Sequence, residues 1–232
     1  MVKTSSRIAS GIPGLDALME GGFVEGSVNL VTGGTGTGKT IFALQFTYSQ
    51  IQQGRNVLYI SFEENIDGLL GDALEFGWDF TEYQQQKRCF FSSFEPVARP
   101  DIYATLTNLC KTYNVRIVVI DSISVLALAF QENSYKMRKE LYMLIDLLKK
   151  LGCTTIFTGE IAGEASLDVT SGGALSRDGV SEFVADSIIT LHNAGIGGEA
   201  DRAIRVLKMR RTAHIKEPMP MGITAKGMAV QK

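Results

Sequence analysis

Eight consecutive residues, Gly33-Gly34-Thr35-Gly36-Thr37-Gly38-Lys39-Thr40, carry the pattern G-x-x-x-x-G-K-S/T of a phosphate-cradling loop. The glycines let the backbone curl so that successive N–H groups point inward at phosphate oxygens. Lys39 adds a point charge for the β- and γ-phosphates, and the Thr40 hydroxyl is a ligand of the kind Mg²⁺ takes. A glycine-rich strand-to-helix turn would explain the glycines without a ligand. It would not explain the register: a strand-like run, Val28 to Thr32, precedes the loop, and a helix-like run, Ile41 to Gln53, follows it. That helix aims its positive N-terminal end at the same point. Gly34, Thr35, Gly36, Thr37, Gly38, Lys39, Thr40 and Ile41 are therefore the expected contacts of a nucleoside triphosphate.

Further residues have the types that such a ligand needs. Asp121 follows the apolar run Ile117 to Ile120 immediately. An acid ending a buried strand, in a chain with a phosphate loop, is the expected holder of Mg²⁺, directly or from one layer out. Glu63 and Glu64 follow another strand-like run, Asn56 to Phe62, at the edge where open α/β sheets place their ligands. Solvated loop acids, or favourable charges at a helix N-terminus, would account for the pair as well. Phosphoryl transfer to water needs a carboxylate near the attacking water, a contribution of roughly 10²–10⁴-fold, and that reading is preferred. Lys208, Arg210 and Arg211 lie in a tail with Arg202, Arg205, His214 and Lys216. Three readings stay open: a solvated strand face, a nucleic-acid stripe, or Lys208 and Arg210 reaching a neighbour's γ-phosphate from one face of a strand. His214 alone reads as structural.

The elements around these residues alternate. After the Gly54 stop and the run Asn56 to Phe62 come a helix over Asp67 to Phe76, ended by Gly77, and a strand over Arg88 to Ser92. A helix over Asp101 to Tyr113 stands behind Pro100. Arg116 to Ile120 is a continuous apolar strand of the kind found inside a parallel sheet. Met137, Leu141, Leu144, Leu148 and Leu151 fall at helical spacing, with lysines off the stripe, which predicts a covering helix over Tyr135 to Leu151. Strands follow over Cys153 to Thr158 and Asp186 to Leu191; Phe80 to Lys87 and Glu160 to Ser181 read as loops. From Arg202 the pattern becomes alternating, with a Lys226-Gly227 hairpin turn. The expected fold is α/β: a doubly wound, mostly parallel sheet with helices on both faces and a C-terminal antiparallel β extension. One domain spans 1–232, with a lead-in over 1–26, a core over 27–192 and a β tail over 202–232.

The 232 residues, 45% hydrophobic and 21% charged with a net charge of −2, suit one domain and argue against a whole-surface nucleic-acid footprint. Three scattered cysteines, no apolar signal region at the N-terminus and no run approaching the roughly 18 apolar residues of a membrane span predict a cytoplasmic protein.

These motifs together resemble the RecA/RadA-like ATPases, and most closely the KaiC branch. The similarity runs from Ser10-Gly11-Ile12-Pro13-Gly14-Leu15-Asp16 and Gly21-Gly22 through Phe62-Glu63-Glu64, Phe76-Gly77-Trp78 and Val119-Ile120-Asp121-Ser122. It continues to Glu182-Phe183-Val184-Ala185-Asp186 and Lys208-Met209-Arg210 with Thr212 and His214. The resemblance implies a RecA-like fold and a slow Mg²⁺-dependent ATPase. Glu63 would be the water-activating base and Glu64 its partner, while Lys208, Arg210 and His214 would touch ATP bound to the adjacent subunit. It also implies a homo-hexameric ring with ATP between subunits. The chain departs from KaiC in three ways. It holds one such domain rather than two in tandem. Glu182 and Phe183 stand where a phosphorylated Ser-Thr pair is found, and Arg211 stands in place of a glycine. An alternative is a RadA-paralogue-like accessory of recombination. The acidic segment Glu160 to Ser176, with Glu164 and Asp168 and no Lys or Arg, speaks against phosphate tracking there. Small-molecule kinase chemistry has no lid signal, and no Asn-Lys-x-Asp guanine motif is present.

Overall fold

In a computed structural model of the chain, which describes residues 6–94, 102–128, 134–161, 181–193 and 201–231, the lead-in opens with a two-stranded ribbon. Strand β1 (Arg7–Ile8) pairs antiparallel with β2 (Phe23–Val24) around the one-turn helix α1 (Leu15–Leu18). Six parallel strands follow: β3 (Val28–Gly33), β4 (Asn56–Ser61), β5 (Cys89–Ser93), β6 (Val115–Asp121), β7 (Thr154–Glu160) and β8 (Ser187–Asn193). Three antiparallel strands, β9 (Arg202–Met209), β10 (Met219–Thr224) and β11 (Gly227–Val230), extend the sheet. The full order is β11-β10-β9-β8-β3-β7-β6-β4-β5. This is the doubly wound, mostly parallel sheet with an antiparallel extension that the alternating pattern predicts.

The central strands read as unbroken apolar runs because both of their faces are covered. Val57, Tyr59, Val119 and Ile156 enter one core with Phe42, Phe46 and Ile51 of α2 (Lys39–Gln52) and Leu69 and Ala73 of α3 (Ile66–Glu75). Their alternates Leu58, Ile60, Val118 and Phe157 enter a second core on the other side. That core is closed further along the chain by Leu106 of α5 (Ile102–Thr112) and by Leu141, Leu144 and Leu148 of α7 (Ser134–Lys150). The period-2 geometry of a strand thus divides one apolar run between two cores. No helix among the described residues is long and apolar enough to cross a membrane.

One expected loop is a helix. Within Phe80 to Lys87 lies α4 (Thr81–Gln85), whose side chains are not buried. Its formation owes little to periodicity. The Asp79 carboxylate accepts the Thr81 N–H at 2.8 Å, and buried Phe80 packs edge-on against Tyr48 and Phe91 at 5.4 and 5.1 Å. Tertiary anchoring outweighs weak local preference there. Two short helices, α6 (Ile123–Leu128) and α8 (Ser181–Val184), also lack a sequence signal of their own. In the other expected loop, Glu160 ends β7 and Ser181 opens α8; Glu164, Asp168 and the residues around them lie outside the described residues.

Candidate active site

Strand β3 delivers Gly33 to the C-terminal edge of the sheet, and the chain turns there into α2 at Lys39. The turn tolerates no side chain at two of its glycines. A Cβ on Gly33 would lie 2.6 Å from the Leu191 carbonyl oxygen. Gly38 has φ +99°, and a Cβ there would lie 2.8 Å from Ile223 Cδ1 on the β tail. The loop is closed by the Thr37 hydroxyl, which donates to the Gly34 carbonyl at 2.9 Å. Lys39 Nζ folds over the loop and donates to the Gly33 and Gly34 carbonyls at 3.2 and 3.0 Å. Arg202, from the first position of β9, donates to the Gly36 carbonyl at 2.8 Å. Sequence reading placed Arg202 in a general basic tail. The β8–β9 pairing brings it to the phosphate loop, because Arg202 pairs with Asn193, two residues beyond the Leu191 that sits beside Gly33.

The acids gather at the same edge. Ser61 pairs with Asp121 in the register of β4 and β6, and the next strand places Thr158 beside them. Asp121 is buried and accepts hydrogen bonds from the Tyr59 hydroxyl at 2.6 Å and from the Thr158 hydroxyl. Burial first, and the neighbouring Asp121 carboxylate second, push the Tyr59 phenol well above its ordinary pKa, which keeps it a donor. Glu63 accepts a hydrogen bond from the Ser122 hydroxyl, next in the chain after Asp121. Sequence reading missed Ser122 and Thr158 as orienting groups; a hydroxyl after the strand acid, and one on the adjacent strand, was the available signal. Glu64 is tied through its backbone, its N–H donating to Ser61 Oγ at 3.0 Å while that hydroxyl donates to the Glu64 carbonyl at 2.7 Å. Partial burial, then Asp72, Asp121 and Glu63, raises the Glu64 carboxyl above its ordinary value. Mutual repulsion of this kind is what a cation or a protic ligand among the acids would relieve.

The donor set suits a hard cation. Thr40 at the start of α2 and Asp121 at the end of β6 offer oxygen atoms only. Among the described residues no group of three or more His, Cys, Asp or Glu could cage a metal by itself. Mg²⁺ requires no such cage, since it takes one or two protein oxygens and completes its octahedron with phosphate and water.

Arg202 apart, the tail residues expected at a nucleotide, Lys208, Arg210 and His214, do not join this site within one chain. Lys208 pairs with Ile188, and Ile188 pairs with Leu30, three residues back along β3 from Gly33. The backbone separation along the strands is roughly 10 Å before the loop itself begins. Arg210 lies further out, its N–H donating to the Asp186 carbonyl at 3.0 Å. Lys208 Nζ donates to the Glu182 and Ala185 carbonyls at 3.1 and 2.8 Å, around the C-terminal end of α8. Burial, then Arg210, lowers its pKa below the ordinary lysine value. Arg210 is half exposed, its Nη1 3.6 Å from Asp186. His214 stands beyond, with Nδ1 3.4 Å from the Thr212 carbonyl and Nε2 shielded without a hydrogen-bond partner among the described residues. Phe183 on α8 is 64% exposed. Arg211 adopts φ +63°, so the turn keeps a glycine-like conformation although a side chain is present.

Asp186 organises this far end. It accepts the Val28 N–H at 3.0 Å and pairs with Lys149 at 2.9 Å. Burial, the largest single influence, would raise its carboxyl; the Val28 N–H, Lys149 and Arg210 together outweigh it and hold the group low. A carboxyl whose folded pKa is depressed stabilises the fold above its unfolded value, about 3.9, and loses that contribution as pH falls through the folded value. Asp186→Asn is therefore expected to lower the melting temperature at pH 7, with the gap to wild type closing in acid below about pH 4. Denaturation curves across that range check this; a gap independent of pH would contradict it.

The profile described as "ATPase: KaiC" matches residues 8–232. Among curated proteins, the circadian clock protein KaiC3 of Synechocystis is 32% identical over 95% of this chain and 44% of its own length. The circadian clock oscillator protein KaiC of Synechococcus elongatus is 32% identical over 94% of this chain and 43% of its own. The chain thus spans less than half the length of the curated relatives it matches. The crystal structure of a KaiC-like protein from Pyrococcus horikoshii OT3 superposes with a TM-score of 0.85 at 35% identity, covering 99% of this chain and all of that one.

Proposed function

This chain belongs to the KaiC family of RecA-like P-loop ATPases, and on that premise we propose that it binds ATP with Mg²⁺ and hydrolyses it slowly in a ring, commonly of six, with each site shared by two subunits. Residues 1–232 act as one unit, the lead-in over 1–26, the core over 27–192 and the β tail over 202–232. Gly34 to Ile41 hold the phosphates through backbone N–H groups, with Lys39 swinging from the Gly33 and Gly34 carbonyls onto the β- and γ-oxygens. Thr40 and Asp121 would hold Mg²⁺, which when bound offsets charge on the phosphate oxygens. Glu63, oriented by Ser122, accepts a proton from the attacking water, and Glu64 keeps the acidic wall beside it. Lys208, Arg210 and His214 belong to the neighbouring subunit's site.

The observation that carries this reading is the division of the machinery. The loop and the acids occupy one end of the sheet, and Lys208 and Arg210 the other. An exposed arginine that cannot reach its own loop is placed to serve a second copy. Sedimentation velocity with and without Mg-ATP, together with ATPase rate as a function of protein concentration, tests it. Specific activity is expected to rise with concentration alongside ring formation, since a lone subunit holds half a site. A monomer with full specific activity at every concentration would contradict the proposal.

Single-stranded DNA is expected to bind no more tightly than the micromolar range at physiological salt. Two tail cations already have partners, Arg202 on the phosphate loop and Arg205 Nε on the Lys216 carbonyl at 2.8 Å. Fluorescence anisotropy checks this. Submicromolar binding that falls steeply with salt and is lost in Arg205 or Arg211 variants would favour the recombination-accessory reading instead.

A further inference from the structure

The geometry points to Arg7 as a positioning residue for the shared site: its guanidinium rivets the lead-in ribbon to the turn after Arg210, and so fixes where Arg210 enters the neighbour. This rests on the trans assignment of Arg210. Arg7 is 205 residues from Thr212 in the chain, yet Nη1 donates to the Thr212 hydroxyl at 2.8 Å and Nη2 to the Arg211 carbonyl at 3.3 Å. On the lead-in side the same guanidinium donates to the Gly22 and Met19 carbonyls at 3.1 and 3.3 Å. The hydroxyl of Thr212 passes the contact on, donating to the Arg210 carbonyl at 3.3 Å. The Arg210 N–H is held from the other side by the Asp186 carbonyl. Arg210, the arginine finger of the proposed shared site, therefore has its backbone fixed between the sheet and the lead-in.

The turn needs such support. Arg211 has φ +63°, a conformation uncommon for a residue with a Cβ, and its carbonyl is one of those that Arg7 takes. A second tie, from the Ile215 N–H to the Leu18 carbonyl at 3.1 Å, docks the next stretch of tail on the end of α1. The Arg7–Glu20 pair at 3.3 Å is a different matter: Glu20 is 49% exposed, and a surface ion pair contributes little. What Arg7 supplies is a planar fork with several donors, which lysine cannot reproduce. Release of the turn would let Arg210 shift, and a misplacement of about 1 Å can cost roughly 10²-fold in rate.

Arg7→Ala is expected to bind ATP as wild type does and to lose roughly 10²-fold in kcat with KM unchanged. Such a subunit has an intact base and a displaced finger. Mixed and reassembled with Glu63→Gln, it should recover activity, because about a quarter of the interfaces in a random equimolar mixture pair a sound base with a sound finger. Mixed with Arg210→Ala, it should stay inactive. A stability defect in the subunit's own loop and acids would produce neither result. Should Arg7→Ala fail to fold, Arg7→Gln keeps an amide donor and is assayed in the same two mixtures. Wild-type kcat in either folded variant, or recovery with Arg210→Ala, overturns the assignment. So does failure to recover with Glu63→Gln when Glu63→Gln and Arg210→Ala do rescue each other, and that outcome leaves the trans site standing. If that last pair also stays dead, the trans site itself is wrong and the role of Arg7 falls with it.

Discussion

Arg210→Ala is expected to lower kcat by roughly 10³–10⁵-fold while leaving ATP affinity close to wild type, the signature of a cation that acts on charge developing in the transition state. The physical reason lies in where the guanidinium stands. It is half exposed just past the end of β9, 3.6 Å from Asp186, and on the proposed reading the lost charge belongs to a neighbour's site rather than its own. Folding should survive, because Asp186 keeps its Val28 and Lys149 partners. Single-turnover kinetics on assembled protein separates the rate of chemistry from binding. A fall in affinity with unchanged turnover would instead make Arg210 an ordinary ground-state contact.

Lys39→Ala is expected to weaken ATP binding by about 10- to 100-fold, in line with the roughly 1.5–3 kcal/mol that hydrogen bonds to charged groups contribute. Lys39 Nζ is poised over the loop on the Gly33 and Gly34 carbonyls, and its removal leaves phosphate charge facing backbone N–H groups alone. Those N–H groups and the start of α2 remain, which is why binding weakens rather than vanishes. Titration calorimetry with Mg-ATP measures the change. Equal affinity for variant and wild type would remove Lys39 from the phosphate site.

Much of this was legible in residues that act locally. The phosphate loop announces itself because glycine, lysine and threonine must stand at fixed offsets between a strand and a helix. Asp121 was legible because a charged residue ends an apolar run that can only be a buried strand. The parallel order of the strands followed from helices between them. Other features depend on partners distant in sequence, and periodicity carries no trace of them. Ser122 orienting Glu63, Thr158 holding Asp121, Arg202 on Gly36 and Arg7 on Thr212 all arise from strand register and ribbon docking. The helix at Thr81–Gln85 was missed for the same reason, being anchored by Phe80 rather than by its own pattern. Arg211 shows the limit from the other side: it takes a positive φ although its residue type does not favour one.

In the proposed ring a base on one subunit and an arginine finger on the next make a single site. Glu63→Gln and Arg210→Ala, each nearly inactive alone, should be mixed in equal amounts, dissociated, reassembled with Mg-ATP and assayed for phosphate release. Interfaces that join an intact Glu63 to an intact Arg210 from the neighbour are expected to hydrolyse ATP, so that the mixture recovers a substantial fraction of the wild-type rate. A mixture as inactive as its components, from subunits shown by sedimentation to have co-assembled, would contradict the shared site and return Lys208 and Arg210 to a solvated basic strand.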